Sequence, residues 1–77
     1  MNPFNNMTKS QRYFFETKIT KPAYDFSKAE TKESIYSVER MICKLARQYL
    51  EVVDAEQQVN LARQNAKLRA SEIGVFI

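Results

Sequence analysis

Apolar residues recur at steps of three and four from residue 35 to residue 73, and this is the most regular pattern in the chain. Such spacing places apolar side chains along one stripe of an α-helix. We call this stripe the seam; one of its members is polar. The seam positions are Ile35, Val38, Ile42, Leu45, Tyr49, Val52, Ala55, Val59, Ala62, Ala66, Arg69 and Ile73.

The residues around the seam predict helix from about residue 28 to about residue 72. No glycine or proline lies between residues 23 and 73, and strong helix formers dominate this span. Ser27 with Glu30 fits a capping box, and Thr31 is a second candidate N-cap. Gly74 is suited to the C-terminal cap, because glycine adopts the left-handed conformation easily.

The seam has one fault, which leaves two all-α structures open. Two steps of three follow each other, from Tyr49 to Val52 and from Val52 to Ala55, where a regular heptad pattern would alternate. One structure is a continuous amphipathic helix of about 65 Å, at 1.5 Å per residue. The other is a helical hairpin broken near Asp54, in which the bulky first half of the seam packs on its alanine-rich second half. In either structure the seam packs against another helix.

The choice between these structures decides whether the seam requires a second chain. A hairpin covers it within one molecule, whereas a continuous helix needs a partner, most simply a second copy. We therefore expect a homodimer if the helix is unbroken.

The N-terminal segment, residues 1–27, is less regular. Residues 13–20 alternate in the manner of a strand, while Thr8 with Gln11 fits a capping box for a short helix over residues 9–19. Pro22 ends either element, because the residue before a proline avoids helical backbone angles. The chain is thus interpreted as one small domain: the N-terminal segment, a helical region over 28–73 and an apolar tail over 74–77. We expect the tail to fold back on the helix or on the N-terminal aromatic residues.

Composition excludes several classes of site. The chain of 77 residues has one cysteine, Cys43, and no histidine. It therefore has no internal disulfide, no Cys/His zinc site and no Ser–His or Cys–His nucleophile. A glycine-rich phosphate loop is also absent. The sequence predicts a protein that is not an enzyme and uses no metal or cofactor. Without a long apolar run or a secretory signal, it predicts no membrane association and a cytoplasmic location.

Charge and aromatic residues are concentrated in the first part of the chain. Residues 1–32 carry six basic and three acidic side chains, whereas residues 33–77 carry six of each. Large aromatics dominate interface hot spots, and basic side chains steer association with acidic surfaces. We therefore predict a partner-binding surface here. Its residues are Arg12, Tyr13, Phe14, Phe15, Lys18, Lys21, Tyr24 and Phe26.

Three functions fit these patterns. The preferred one is a helical interaction protein, a small regulator or inhibitor that binds a larger protein. Small helical proteins of this kind are common among products of phages and other mobile elements. The second is a nucleic-acid-binding protein, in which the same basic and aromatic residues contact phosphates and stack on bases. The third is a structural subunit of a larger assembly.

Overall fold

The computed structural model of the protein describes residues 7–19 and 22–77, without the side chains at 18 and 19. All regular elements in this part of the chain are helical, which confirms the all-α prediction. Helix α1 spans Lys9–Phe14 and continues into a π-helical turn, Phe15–Ile19. Helix α2 spans Pro22–Phe26. The two long helices are α3, Lys32–Tyr49, and α4, Val52–Ile73.

Helices α3 and α4 form a hairpin, so the continuous helix over 28–72 is wrong and the broken alternative is confirmed. The break lies at Leu50 and Glu51, ahead of Asp54, which occupies the first turn of α4. Both link residues have extended backbone angles (φ −107°, ψ 160° and φ −69°, ψ 160°). The β-branched pair that follows the link, Val52 and Val53, favours helix only weakly. Folding back lets the seam bury itself within one chain.

The long helices begin and end at residues with identifiable capping chemistry. The Thr31 hydroxyl accepts a hydrogen bond from the Ser34 amide (3.1 Å), so Thr31 is the N-cap of α3. Ser27 is not a cap, since its hydroxyl donates to the Tyr24 carbonyl (2.7 Å). At the other end, Gly74 adopts the predicted left-handed conformation with φ 76°.

Helix α1 confirms the helical alternative for the N-terminal segment and excludes the strand at residues 13–19. Thr8 and Gln11 form a reciprocal capping box. The Gln11 amide donates to the Thr8 hydroxyl (3.2 Å), and the Thr8 amide donates to the Gln11 side-chain oxygen (3.0 Å). These two bonds satisfy amide groups that a helix start would otherwise leave unpaired.

The core lies between the hairpin and the N-terminal segment. Ile35 and Ile42 are fully buried on α3, and α4 contributes a row of small side chains. Val38, Leu45 and Ile73 are partly buried against this core. The buried members of the core are Phe15, Phe26, Ala29, Ile35, Ile42, Ala46, Ala55, Val59, Ala62, Ala66 and Ala70.

Two details of the predicted seam require correction. Val52 is 74% exposed, because the chain turns at residues 50–51 and the first residue of α4 faces outward. Ala46 and Ala70 are buried although they lie outside the predicted stripe. Since the seam is covered within one chain, it no longer supplies a reason for a second copy.

Two long-range hydrogen bonds attach the N-terminal segment to the hairpin. Gln11 Nε2 donates to Tyr49 Oη (2.6 Å), which joins α1 to the end of α3 beside the link. Arg69 Nε donates to the carbonyl oxygen of Ala29 (2.8 Å), at the connection between α2 and α3. The one polar member of the seam thus satisfies a backbone carbonyl, and its guanidinium also pairs with Glu72 (3.0 Å).

The apolar tail packs back on the core as predicted, apart from one side chain. Val75 and Ile77 are partly buried against the core, whereas Phe76 is 91% exposed. The Val75 amide donates to the Ala70 carbonyl (2.9 Å) and the Gly74 amide to the Ser71 carbonyl (3.2 Å). This is the Schellman arrangement that closes a helix at a left-handed glycine.

Candidate functional site

The predicted partner-binding residues separate into surface and core. Tyr13 is 71% exposed, Tyr24 44% and Phe14 38%. Phe15 and Phe26 are buried in the core, so their assignment to a partner surface is corrected. They hold the N-terminal segment on the hairpin instead.

The basic members of the predicted surface are only partly described. Arg12 is half-buried on α1. Lys21 lies outside the described residues, and so does the side chain of Lys18. Their predicted contact with a partner therefore stays a prediction.

Phe14 and Phe15 line a concave site between α1 and α3, which we call the aromatic cleft. Its volume is about 210 Å³, enough to admit a bulky side chain. The walls are almost entirely apolar, and the Gln11–Tyr49 hydrogen bond fixes the two helices relative to each other. The cleft is lined by Met7, Ser10, Gln11, Phe14, Phe15, Leu45 and Tyr49.

A second concave site, which we call the arginine groove, lies at the link end of the hairpin. Its volume is about 430 Å³. On α3, Arg47 is two residues from both Leu45 and Tyr49, about 200° around the helix, so this groove and the aromatic cleft use different faces of α3. The groove is lined by Arg47, Leu50, Val52, Ala55, Glu56, Val59, Asn60 and Arg63.

Sequence reasoning did not identify this groove. Arg47 and Arg63 are visible as flanks of the seam, but only a turn at residues 50–51 brings them to one concavity. In the sequence, the β-branched pair Val52–Val53 is the signal that could have indicated a turn at this point. In the structure both side chains are exposed at the start of α4.

Tyr24, on α2, is held by a neighbouring lysine. Lys28 Nζ donates to Tyr24 Oη (2.9 Å) and lies 4.4 Å from the ring centroid. This hydrogen bond raises the pKa of Lys28 above its ordinary value. The ring is therefore fixed against its own chain, and Tyr13 and Phe14 are the better-placed aromatics for contact with a partner.

Cys43 is half-buried on α3 and is not activated as a nucleophile. Burial is the main cause that raises the pKa of its thiol, and the Glu39 carboxylate adds to the rise. Arg47 and Arg63 act in the opposite direction. A thiol with a raised pKa forms little thiolate near neutral pH, and thiolate is the reactive form.

The described residues offer neither a metal centre nor a transmembrane element. Nowhere in residues 7–19 and 22–77 do three or more Cys, Asp or Glu side chains gather as metal ligands. None of the helices in these ranges is long and apolar enough to cross a bilayer.

Comparison with known proteins finds no match: no family model, no curated protein and no solved structure is similar to this chain.

Proposed function

We propose that the protein is a non-enzymatic helical interaction protein that binds a larger protein through α1. The observation that carries this proposal is the exposure of two adjacent aromatics of α1, Phe14 in the lining of the aromatic cleft and Tyr13 outside it. Two adjacent aromatics on the outside of a small domain are costly to leave in water. A partner that covers them relieves this cost.

The cleft gives such a partner a place for an anchor. It takes one bulky apolar side chain between Phe14 and Leu45, while Tyr13 packs on the surrounding surface of the partner. Pockets that bury an aromatic or aliphatic anchor dominate the binding energy of protein interfaces. Because α1 is capped by Thr8 and is tied to the hairpin by the Gln11–Tyr49 hydrogen bond, the surface is preformed, which lowers the entropy lost on binding.

The charge of the segment indicates the kind of surface it meets. The first 32 residues carry an excess of three positive charges. Rim charges of one sign steer association towards a surface of opposite sign. The proposed partner therefore presents an acidic surface with a protruding apolar side chain, and a small regulator or inhibitor acts by covering it.

The test is a double substitution with a matched control. Tyr13→Ala with Phe14→Ala should abolish capture of the partner from native lysate and leave the helical content unchanged. Tyr36→Ala with Met41→Ala removes two large side chains of α3 that are 37% and 47% exposed, so it should leave capture unchanged. Captured protein is identified by mass spectrometry, and folding is checked by circular dichroism.

Two outcomes contradict the proposal. One is equal loss of capture in both double variants, which would indicate non-specific adhesion. The other is recovery of nucleic acid whose binding weakens steeply between about 50 and 200 mM salt, as counterion release requires. That second result supports the nucleic-acid-binding alternative.

A further inference from the structure

The arginine groove carries two unpaired cations over an apolar floor. Arg47 and Arg63 stand on different helices, and within the described chain neither makes an ion pair within 4.0 Å. Both line the same groove, Arg47 from α3 and Arg63 from α4. Arginine is the side chain best suited to bind carboxylates through two parallel hydrogen bonds.

The floor of the groove is apolar and partly open. Leu50 is half-buried, Val52 is 74% exposed, and Val59 lies beneath them at 5% exposure. A site with two guanidinium groups beside an exposed valine and a half-buried leucine complements a ligand that carries both carboxylates and an apolar side chain.

We propose that the arginine groove binds an acidic segment of a partner protein, with carboxylates on Arg47 and Arg63 and an apolar side chain on Leu50 and Val52. This is a second binding surface and does not rest on the role proposed for Tyr13 and Phe14. A nucleic acid fits less well, because a phosphate backbone makes no use of the apolar floor.

The experiment uses the full chain and a synthetic fluorescent peptide of glutamate and leucine at helical spacing. Binding is followed by fluorescence anisotropy at low salt. Hydrogen bonds to charged groups are individually strong, so Arg47→Gln with Arg63→Gln should weaken the peptide at least about tenfold. Arg40→Gln with Lys44→Gln removes the same charge from α3 outside the groove, and we expect less than about a twofold change because neither side chain lines the proposed site.

A third variant should change the affinity for the peptide in the opposite direction. Glu56→Gln removes the carboxylate that repels the acidic peptide, so binding should tighten by about two- to fivefold. A peptide with glutamine in place of glutamate should bind the wild-type protein much more weakly than the acidic peptide does.

Several results would overturn the proposal. One is that the acidic peptide shows no saturable binding to the wild-type protein. Another is that the groove variant (Arg47→Gln with Arg63→Gln) and the control variant (Arg40→Gln with Lys44→Gln) lose binding equally. A third is that a short DNA duplex binds more tightly than the peptide. Tyr13→Ala with Phe14→Ala distinguishes the two surfaces. It should leave peptide binding unchanged, and loss of the peptide in that variant would move the site to α1. Each variant is first shown by circular dichroism to be folded.

Discussion

At the residue scale, the hairpin depends on small side chains on α4. Ala62 and Ala66 have no exposed surface, and Ala70 retains 2%. Alanine at these positions lets the backbone of α4 approach α3 closely, so that Ile35 and Ile42 fill the space between them. Protein interiors are close-packed, and a larger residue there has no room without displacing a neighbour.

Enlarging one of these alanines should destabilise the hairpin. We expect Ala62→Leu to lower the free energy of unfolding by about 1–3 kcal/mol through overpacking. Gln64→Leu on the exposed side of the same helix is the control, and it should change the free energy of unfolding by less than about 0.5 kcal/mol. Urea denaturation followed by circular dichroism measures both. An Ala62→Leu variant as stable as the wild type would show that the helices are not in close contact there.

Neighbouring aromatics also show how far the site can be predicted from sequence. The concentration of basic and aromatic residues identifies the N-terminal segment as the surface of interest. It does not separate Phe14 from Phe15, because in a short helix the buried side is set by where the segment docks on the hairpin. The arginine groove is still less predictable, since Arg47 and Arg63 meet only through tertiary structure.

At the element scale, the link between the long helices is short and unstrained. Its two residues, Leu50 and Glu51, have extended backbone angles, and in the described chain a positive φ occurs only at Gly74. No glycine is therefore needed for the turn. This explains why the absence of glycine and proline between residues 23 and 73 favoured a continuous helix from sequence, and why the inference failed.

The link geometry predicts a stabilising proline. Glu51 has φ −69°, its amide donates no hydrogen bond to described backbone, and the residue before it is extended. Glu51→Pro should therefore stabilise the fold by about 0.4–1 kcal/mol by restricting the unfolded chain.

The adjacent position provides the control for this substitution. Leu50 has φ −107°, and its amide donates to the Ala46 carbonyl (2.9 Å). Leu50→Pro should lower the melting temperature, whereas Glu51→Pro should raise it. If both prolines destabilise the protein, the link does not have this conformation.

Other features of the helices could be predicted from the local sequence. The capping box of Thr8 and Gln11, the N-cap at Thr31 and the left-handed Gly74 can all be predicted from residue types at fixed spacing. The seam pattern identified most of the buried face of α3 and α4. Ala46 and Ala70 were missed because each follows a seam position, Leu45 or Arg69, by one residue, so the steps of three and four pass over it.

At the scale of the whole molecule, folding back turns a long amphipathic helix into a compact unit. The Cα radius of gyration is 12.5 Å, with principal extents of 39 × 22 × 15 Å. A continuous helix over 28–72 would by itself be about 65 Å long. Most of the seam is covered within one chain, so covering it does not require a second copy.

Scattering and dilution test this conclusion together. Small-angle X-ray scattering should give a radius of gyration slightly above 12.5 Å, because the hydration shell adds to the Cα value. Analytical ultracentrifugation and circular dichroism should show a helical monomer whose ellipticity per residue is constant on dilution. An extended particle, or helicity that falls as the protein is diluted, would instead support the paired rod.

The end of α4 determines which of the last side chains of the chain face the core. After Gly74 the chain is no longer helical, and its side chains alternate, with Val75 and Ile77 turned inward and Phe76 outward. Insertion of one residue directly after Gly74 would exchange the two sets and bring the bulky ring to the protein interior. Insertion of two residues at the same point would preserve the alternation, because the distance from Gly74 decides which side chains face inward.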